Sequence, residues 1–252
     1  MSELSVIIIT YNEQENIRDC LESVNWSDEI VIVDSFSSDK TVEIAREFTS
    51  KIFQKKWTNF SQQKNFALGK ASNEWVLWID ADERATPELK EEILTILNSE
   101  FQSFDGYYIP RRNHYLGRWI RHCGWYPDYK LRLFLRGKGR FNQRTVHESV
   151  VVEGRKGYLK SCLNHYSYKN LSDHLSHIDK FSSLAAEEMF KDGRRARVFD
   201  LLFRPITRFI RMYLMNRGYL DGTYGLIVSL MGSFYVFTKY LKLWELPRGR
   251  IH

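Results

Sequence analysis

Apolar and polar positions fall into alternating blocks through the first part of the chain. Leu4–Ile9 (LSVIII) is an unbroken β-branched run, the pattern of a strand buried on both faces. A polar turn, Thr10-Tyr11-Asn12-Glu13, follows, and a helical pattern starts near Glu15 and carries Ile17, Leu21 and Val24. Glu29–Val33 predicts a second buried strand, ending on Asp34 and a loop rich in helix-capping residues, Ser35-Phe36-Ser37-Ser38-Asp39. The pattern continues with a helix over Thr41–Phe48, a short strand at Lys51–Phe53, and a helix over Ser61–Gly69 with Gly69 as its C-cap. A strand at Trp75–Ile79 (WVLWI) runs straight into Asp80-Ala81-Asp82-Glu83, and Pro87 opens a helix reaching Leu97.

This alternation predicts a doubly wound α/β sheet, in which ligands collect at the carboxyl ends of the strands. The clusters Thr10–Glu13, Asp34–Asp39 and Asp80–Glu83 all fall at those ends. From Gly106 the pattern changes to strands and loops rich in Tyr, Trp, Arg and His. From about Leu171 it reads as helical. The expected division is 1–105 for a donor-side half, 106–170 for an acceptor-side half, and 171–252 for a helical extension.

Composition narrows the classes. With 43% hydrophobic and 27% charged residues, the 252-residue chain is neither disordered nor fibrous. The three cysteines, Cys20, Cys123 and Cys162, are widely spaced with no CxxC, which argues against a disulfide framework or zinc site and for a reducing cytosol. The N-terminal MSELSVIIIT lacks a basic stretch, so no signal peptide is expected. Charge is uneven: from Lys191 onward there are twelve Lys/Arg against four Asp/Glu, whereas the first 190 residues hold 25 against 27. A basic tail of this kind meets something anionic, lipid head groups or nucleic acid.

Asp80-Ala81-Asp82 is the strongest chemical signal. A departing diphosphate gathers negative charge that a divalent cation stabilises. Mg²⁺ or Mn²⁺ takes hard oxygen ligands, and two carboxylates one residue apart let one reach the metal while the other reaches a ribose or the metal's water shell. The bland reading is a solvated strand-end turn in which Asp82 or Glu83 caps the next helix. Asp34 is placed to accept from a nucleobase or ribose, or to cap the helix after Ser38. Thr10 and its backbone can hold a base, with Tyr11 packed beside it. Lys64, in Gln62-Gln63-Lys64-Asn65, is either a cation near the diphosphate or an exposed helix lysine. No GxGxxG and no GxxxxGK[ST] occurs, which removes nicotinamide and P-loop phosphate binding. His114, His122 and His165 are too scattered in sequence to suggest a metal cluster.

Taken together, T-Y-N-E after the first strand, D-S-x-S-x-D after the second, the Q-K-N helix and W-I-D-A-D-E resemble family 2 glycosyltransferases of the GT-A fold, over roughly residues 4–170. The resemblance implies a Rossmann-like mixed sheet, an inverting transfer from a UDP- or similarly activated sugar, and divalent-metal dependence. It places Asp34 at the base, Asp80 at the ribose or the metal's shell and Asp82 at the metal, and Thr10, Tyr11, Glu13 and Lys64 are the further nucleotide-sugar contacts expected from their places in the chain. Phe36 stands where the family usually has Gly. The Val146-His147-Glu148 segment resembles the family's catalytic carboxylate position, so Glu148 is the expected general base, with Asp128 of Trp125-Tyr126-Pro127-Asp128 as the alternative base or an acceptor-orienting group. An ion pair with Arg140 or Arg144 is the structural reading of Glu148. Trp119, Trp125 and Tyr126 suit an acceptor groove or plain core packing.

In the tail, Leu202, Ile206, Phe209, Ile210, Tyr213 and Leu214 recur at helical spacing, with Arg204, Arg208 and Arg211 roughly opposite. Such a helix can lie on an anionic membrane, or dock on the body of the protein. Tyr224–Thr238 is an uncharged run of fifteen residues, short of the ~20 that span a bilayer. R-P-I-T-R-F-I-R-M-Y and Y-V-F-T-K-Y-L-K-L-W-E-L resemble the C-terminal part of bacterial lipopolysaccharide inner-core glucosyltransferases. That resemblance implies glucose from UDP-glucose, a core heptose on a lipid-linked acceptor, and a cytoplasmic protein peripheral to the inner face of the cytoplasmic membrane. A capsule or polyprenyl-linked acceptor is the nearest alternative. Nucleic acid is not expected as a partner, because no recognition motif accompanies the arginines.

Overall fold

The computed structural model describes residues 2–99, 101, 103–142, 149–168 and 170–248. They form two compact units, one of Met1–Arg111 with Asp128–His165, the other of Arg112–Pro127 with Tyr166–His252.

In the first unit, β1 (Leu4–Thr10), β2 (Glu29–Asp34), β3 (Ile52–Gln54) and β4 (Trp75–Asp80) form a parallel block in the order β3-β2-β1-β4. Both faces of β1 and β2 are covered, which is why their sequences are continuous apolar runs rather than alternating ones. Helices α1 (Ile17–Val24), α2 (Thr41–Ala45) and α4 (Pro87–Leu97) pack one face through Ile17, Leu21, Ala45, Leu89 and Ile93. Helix α3 (Phe60–Lys70) covers the other face through Ala67 and Leu68. Two expectations are corrected. Gly69 lies inside α3, whose C-cap is Ala71. Helix α2 stops at Ala45, three residues short of Phe48, its last turn loosening where Thr49 Oγ1 donates to Ile30 O at 2.8 Å. Thr86 caps α4, its side chain accepting from Leu89 N, so neither Asp82 nor Glu83 is used as a cap.

Beyond a short strand β5 (Glu83–Ala85), the sheet turns antiparallel. Strand β6 (Gly106–Tyr115) precedes the two-residue β7 (Arg118–Trp119). Strand β8 (Asp128–Leu135) lies between β4 and β6, antiparallel to both. A hairpin of β9 (Gly139–Phe141) and β10 (Val150–Val152) lies over the α3 face, to which Phe141, Val150 and Val152 contribute core. Strand β11 (Lys156–Tyr158) runs parallel to β6, and β12 (Leu163–Tyr168) pairs with β5. Strand β8 carries a bulge: Tyr107 faces Leu133 but Tyr108 faces Leu131, so Arg132 is an extra residue. Leu131 and Leu133, two apart, accordingly enter opposite cores.

In the second unit, α5 (Leu171–Lys191), α6 (Val198–Ile210) and α7 (Gly222–Glu245) pack with the residue 112–127 segment. A wide π turn over Arg211–Met215 and a 3₁₀ turn over Gly218–Asp221 lead into α7. Tyr115, Ile120, Cys123, Met212 and Val228 form one core. Buried Asp221 accepts from the backbone N of His122 at 2.8 Å. His174, stacked on Tyr168 at 3.9 Å and 3.0 Å from the Tyr115 hydroxyl, has its pKa pushed down to about 4 by burial, with His177 adding to the shift. Gly225 allows a close crossing, since a Cβ there would lie 1.8 Å from Gly218 O.

Helix α7 is longer than its uncharged run, continuing through Lys239 and Lys242 to Glu245, and Gly218–Glu245 is long and apolar enough to cross a membrane by length and composition. It packs along α5 and α6, and Lys242 pairs with Asp179 of α5 at 2.7 Å. Leu202, Ile206 and Ile210 on α6 and Leu214 on the π turn after it, with Leu226, Leu230, Phe234, Phe237 and Leu241 on α7, leave two exposed apolar stripes.

Candidate active site

Register brings three strand ends together: Thr10 lies beside Asp34, and Ile9 beside Asp80. The loops beyond are knitted to each other. Asn12 N donates to Ser37 Oγ and Ser38 N to Asn12 Oδ1, both at 2.9 Å, and Glu13 N donates to Thr41 Oγ1 at 2.8 Å. Glu13 also starts α1, its carbonyl accepting from Ile17 N and its carboxylate from Asn16 Nδ2. Asp34 is fully buried and accepts from Ser37 N at 3.0 Å and Gln54 Nε2 at 3.4 Å. Phe36 sits at φ +64°, a left-handed conformation that suits Gly, which accounts for the glycine usual at that position. The rings of Phe36 and Tyr11 are both exposed beside Asp34 and Thr10 in sequence, and buried Thr10 Oγ1 has no hydrogen-bond partner.

Beneath these loops lies a cluster of alternating charge. Lys64 is 3% exposed rather than solvated; its Nζ is 3.3 Å from Asp80 Oδ1 and 3.9 Å from the centre of the Trp78 ring. Arg132 is 1% exposed. Its Nη2 reaches Asp80 Oδ2 at 3.1 Å and also the buried carboxylate of Glu83. The guanidinium lies 3.4 Å over the Trp78 ring, while Nε and Nη1 have no hydrogen-bond partner, so the ring partly offsets an incomplete set of bonds. Arg111 joins Glu83, at 3.1 Å, to Asp128, which also pairs with Lys130. Asp80 N donates to Glu83 Oε2 at 3.0 Å, locking the turn. Burial opposes the charged form of Asp80, yet Lys64, Arg132 and Arg111 outweigh it and hold this carboxyl far below the usual range. Asp128 is likewise lowered: burial raises it, and Arg111 and Lys130 prevail.

Asp82 is separate from this cluster. Its Oδ2 is 3.3 Å from His165 Nε2, delivered by β12, whose His165 registers with Glu83 of β5. Sequence spacing gave no sign of this, because 82 positions separate partners joined only by strand pairing. Among the described residues no group of three or more His, Cys, Asp or Glu gathers as a metal cluster. A carboxylate oxygen suits Mn²⁺ or Mg²⁺ when substrate phosphate completes the shell, and an imidazole nitrogen beside it is a donor that Mn²⁺ accepts more readily than Mg²⁺. Both oxygens of Asp80 already meet cations, so Asp82 fits a metal better.

Glu148 lies outside the described residues. Among the described residues before and after it in sequence, Asn65 of α3 donates to Phe141 O and accepts from Phe141 N, both at 3.0 Å, and Ser149 N donates to Asn142 Oδ1. Within the second unit, Trp119 lies between Arg112 and Arg121, with Tyr126 edge-on at 5.3 Å, and Trp125 packs on Tyr115.

Residues 5–167 match the model for "Glycosyl transferase family 2". The lipopolysaccharide core biosynthesis glycosyltransferase LpsC of Rhizobium meliloti is 32% identical, over 96% of this chain and 92% of its own length. An uncharacterized glycosyltransferase of Rickettsia typhi is 31% identical over 98% of this chain and 88% of its own. Among solved structures, the mannosyltransferase PcManGT of Pyrobaculum calidifontis, in complex with GDP-Man and Mn²⁺, aligns at TM-score 0.57 and 14% identity over 96% of this chain and 87% of that one. S. aureus TarS 1-349 in complex with UDP-GlcNAc aligns at TM-score 0.50 and 14% identity, covering 98% and 92%.

Proposed function

Because the chain belongs to glycosyl transferase family 2 and is a glycosyltransferase with the GT-A architecture, we propose that it moves a sugar, glucose from UDP-glucose, with inversion onto a lipopolysaccharide-core heptose or a related lipid-linked glycan. The observation that carries this reading is the division of labour at the end of β4. Asp80 is held ionised between two buried cations, and among the described residues Asp82 beside it pairs with the imidazole of His165. The acceptor class rests on the LpsC relative, a lipopolysaccharide core biosynthesis glycosyltransferase.

In this reading the nucleoside rests on the first two strand ends, against Thr10, Tyr11 and Asp34, with Glu13 holding the loop. Asp80, fixed by Lys64 and Arg132, accepts from the ribose. Asp82 and His165 would hold Mg²⁺ or Mn²⁺, which when bound neutralises charge gathering on the diphosphate. Glu148 takes the proton of the acceptor hydroxyl as its oxygen bonds to the anomeric carbon and the bond to the diphosphate breaks. Asp128 is the poorer base, since Arg111 and Lys130 hold its carboxyl in the charged form at low affinity for a proton.

Titration with a panel of nucleotide sugars, with and without Mn²⁺, tests the class; failure of every one to bind sinks it. Glu148→Gln is expected to lower kcat by about 10²–10⁴-fold with donor affinity kept. If Asp128→Asn does so instead, the base is Asp128.

The exposed apolar stripes of α6 and α7, on a tail that carries twelve Lys/Arg against four Asp/Glu, fit shallow insertion into an anionic lipid surface. Since the π turn after α6, α7 and the 112–127 segment share a core, removing the tail would unmake that unit. Leu202→Asp with Ile206→Asp leaves the core intact. Sedimentation with phosphatidylglycerol vesicles should fall about tenfold or more, a loss of buried apolar area equal to a few CH₂ groups; unchanged sedimentation would remove the membrane role. Salt-sensitive binding to DNA without vesicle binding would favour the nucleic-acid alternative.

A further inference from the structure

Across β8, β6 and β11 three tyrosines gather on one face of the sheet. Tyr108 and Tyr158 stack at 4.8 Å with ring planes 18° apart, and Tyr129 meets Tyr158 edge-on at 5.1 Å. Tyr158 is 65% exposed and Tyr129 40%. Rings placed merely to fill a core would be covered; these close on each other and leave an open side.

Position gives the patch its meaning. Tyr108 packs against the core that includes Trp78, the ring under Lys64 and Arg132, so the patch shares a face with that pair. Strand β8 runs antiparallel to β4, with Leu77 facing Leu133, so its first residues lie at the end of the sheet where β4 delivers Asp80. Tyr129 is three residues before Arg132, about 10 Å along the strand. Tyr158, opposite Tyr108, ends β11 at the same edge. Asp128 and Lys130 alternate to the other face.

We propose that Tyr108, Tyr129 and Tyr158 form a stacking platform for a saccharide unit of the acceptor, one or two residues away from the sugar that is modified. The proposal rests on the glycosyltransferase reading. Pyranose rings carry an apolar C–H face and a rim of hydroxyls. Tyrosine offers a rigid apolar face with a polar tip at low entropic cost, and the exposed side of this cluster matches that amphipathic shape. The platform continues the donor face onto the acceptor-side strands, where a glycan that presents its hydroxyl near Asp80 must extend.

The test is steady-state kinetics of Tyr129→Ala/Tyr158→Ala with delipidated lipopolysaccharide core oligosaccharide as acceptor. KM for the oligosaccharide should rise about tenfold or more, the scale of losing a buried aromatic anchor, with KM for the nucleotide sugar unchanged. Tyr158→Trp should restore much of it, because stacking needs a ring and not a hydroxyl. Saturation-transfer NMR should show C–H protons of the oligosaccharide on the wild type and lose them on the variant. If the pair of changes disturbs the thermal melt, Tyr158→Ala alone is read, since that ring stands mostly in solvent. An unchanged oligosaccharide KM overturns the platform, as does a loss confined to vesicle binding. Failure of the wild type to bind any nucleotide sugar would instead bring down the function on which it rests.

Discussion

Asp82→Ala is expected to lower kcat on the order of 10³-fold with little change in the thermal melt. Its carboxylate is partly exposed and pairs with His165, so the folded protein loses little when it is truncated. On the proposed reading the reaction loses more, since Asp82 is the carboxylate that would hold a cation against the leaving diphosphate. Donor titration in Mn²⁺ separates the outcomes. The variant should bind UDP-sugar weakly and with no metal dependence, whereas near-wild-type turnover would remove Asp82 from the metal. His165→Ala should share the loss of metal dependence to a lesser degree, leaving one donor where two had been.

Arg132→Met has the largest expected effect on stability. Removing one partner from a buried charge network strands the others, at about 3–5 kcal/mol. The lower end applies, since Lys64 still faces Asp80 and Arg111 still faces Glu83. Denaturant melts at pH 7 measure it. Asp80's folded pKa lies below its unfolded value, so its ionised state contributes stability above about pH 4, lost as pH falls through the carboxylate range. The wild-type advantage over Arg132→Met should therefore hold near neutrality and shrink below about pH 4. Arg132→Lys should recover only part of it, because a compact ammonium can meet the carboxylates but lacks the planar guanidinium that lies over Trp78. An equally stable Arg132→Met protein would mean that the site tolerates the loss of its central cation.

The parallel half was legible because each of its strands is buried on both faces and each ends on a polar cluster. Leu4–Thr10, Glu29–Asp34 and Trp75–Asp80 therefore stand out as unbroken apolar runs stopped by a hydroxyl or a carboxylate. The antiparallel half is where one-dimensional reading fails. His165 meets Asp82, and Arg132 meets Asp80 and Glu83, through pairings that depend on register and on one extra residue, which no local pattern encodes. Arg132 did leave a trace, being a charged residue inside an otherwise apolar run, Leu131–Leu135. Lys64 was ambiguous for a different reason: helix periodicity tells which residues share a face, not which face lies over a charged strand end. Phe36 is the converse case. Its departure from the usual glycine showed in the sequence, while the left-handed backbone that explains it needed the fold. The tail looked like an appendage because its composition shifts, although Asp221 and Met212 share hydrogen bonds and a core with residues before Pro127.

The extra residue in β8 makes that strand intolerant of length change in a way substitutions do not reveal. Excising Arg132 would do more than delete a cation. It would restore strict two-residue periodicity and turn the strand's leading end half a revolution, sending Asp128 to the side where Tyr129 now stands and Tyr129 to the side of Arg111. Backbone hydrogen bonding to the neighbouring strands would remain possible, but the side chains would be read out of frame. In this protein the spacing between Asp128 and Leu133 therefore behaves as a frame, in which residues can be exchanged one for one but not added or removed.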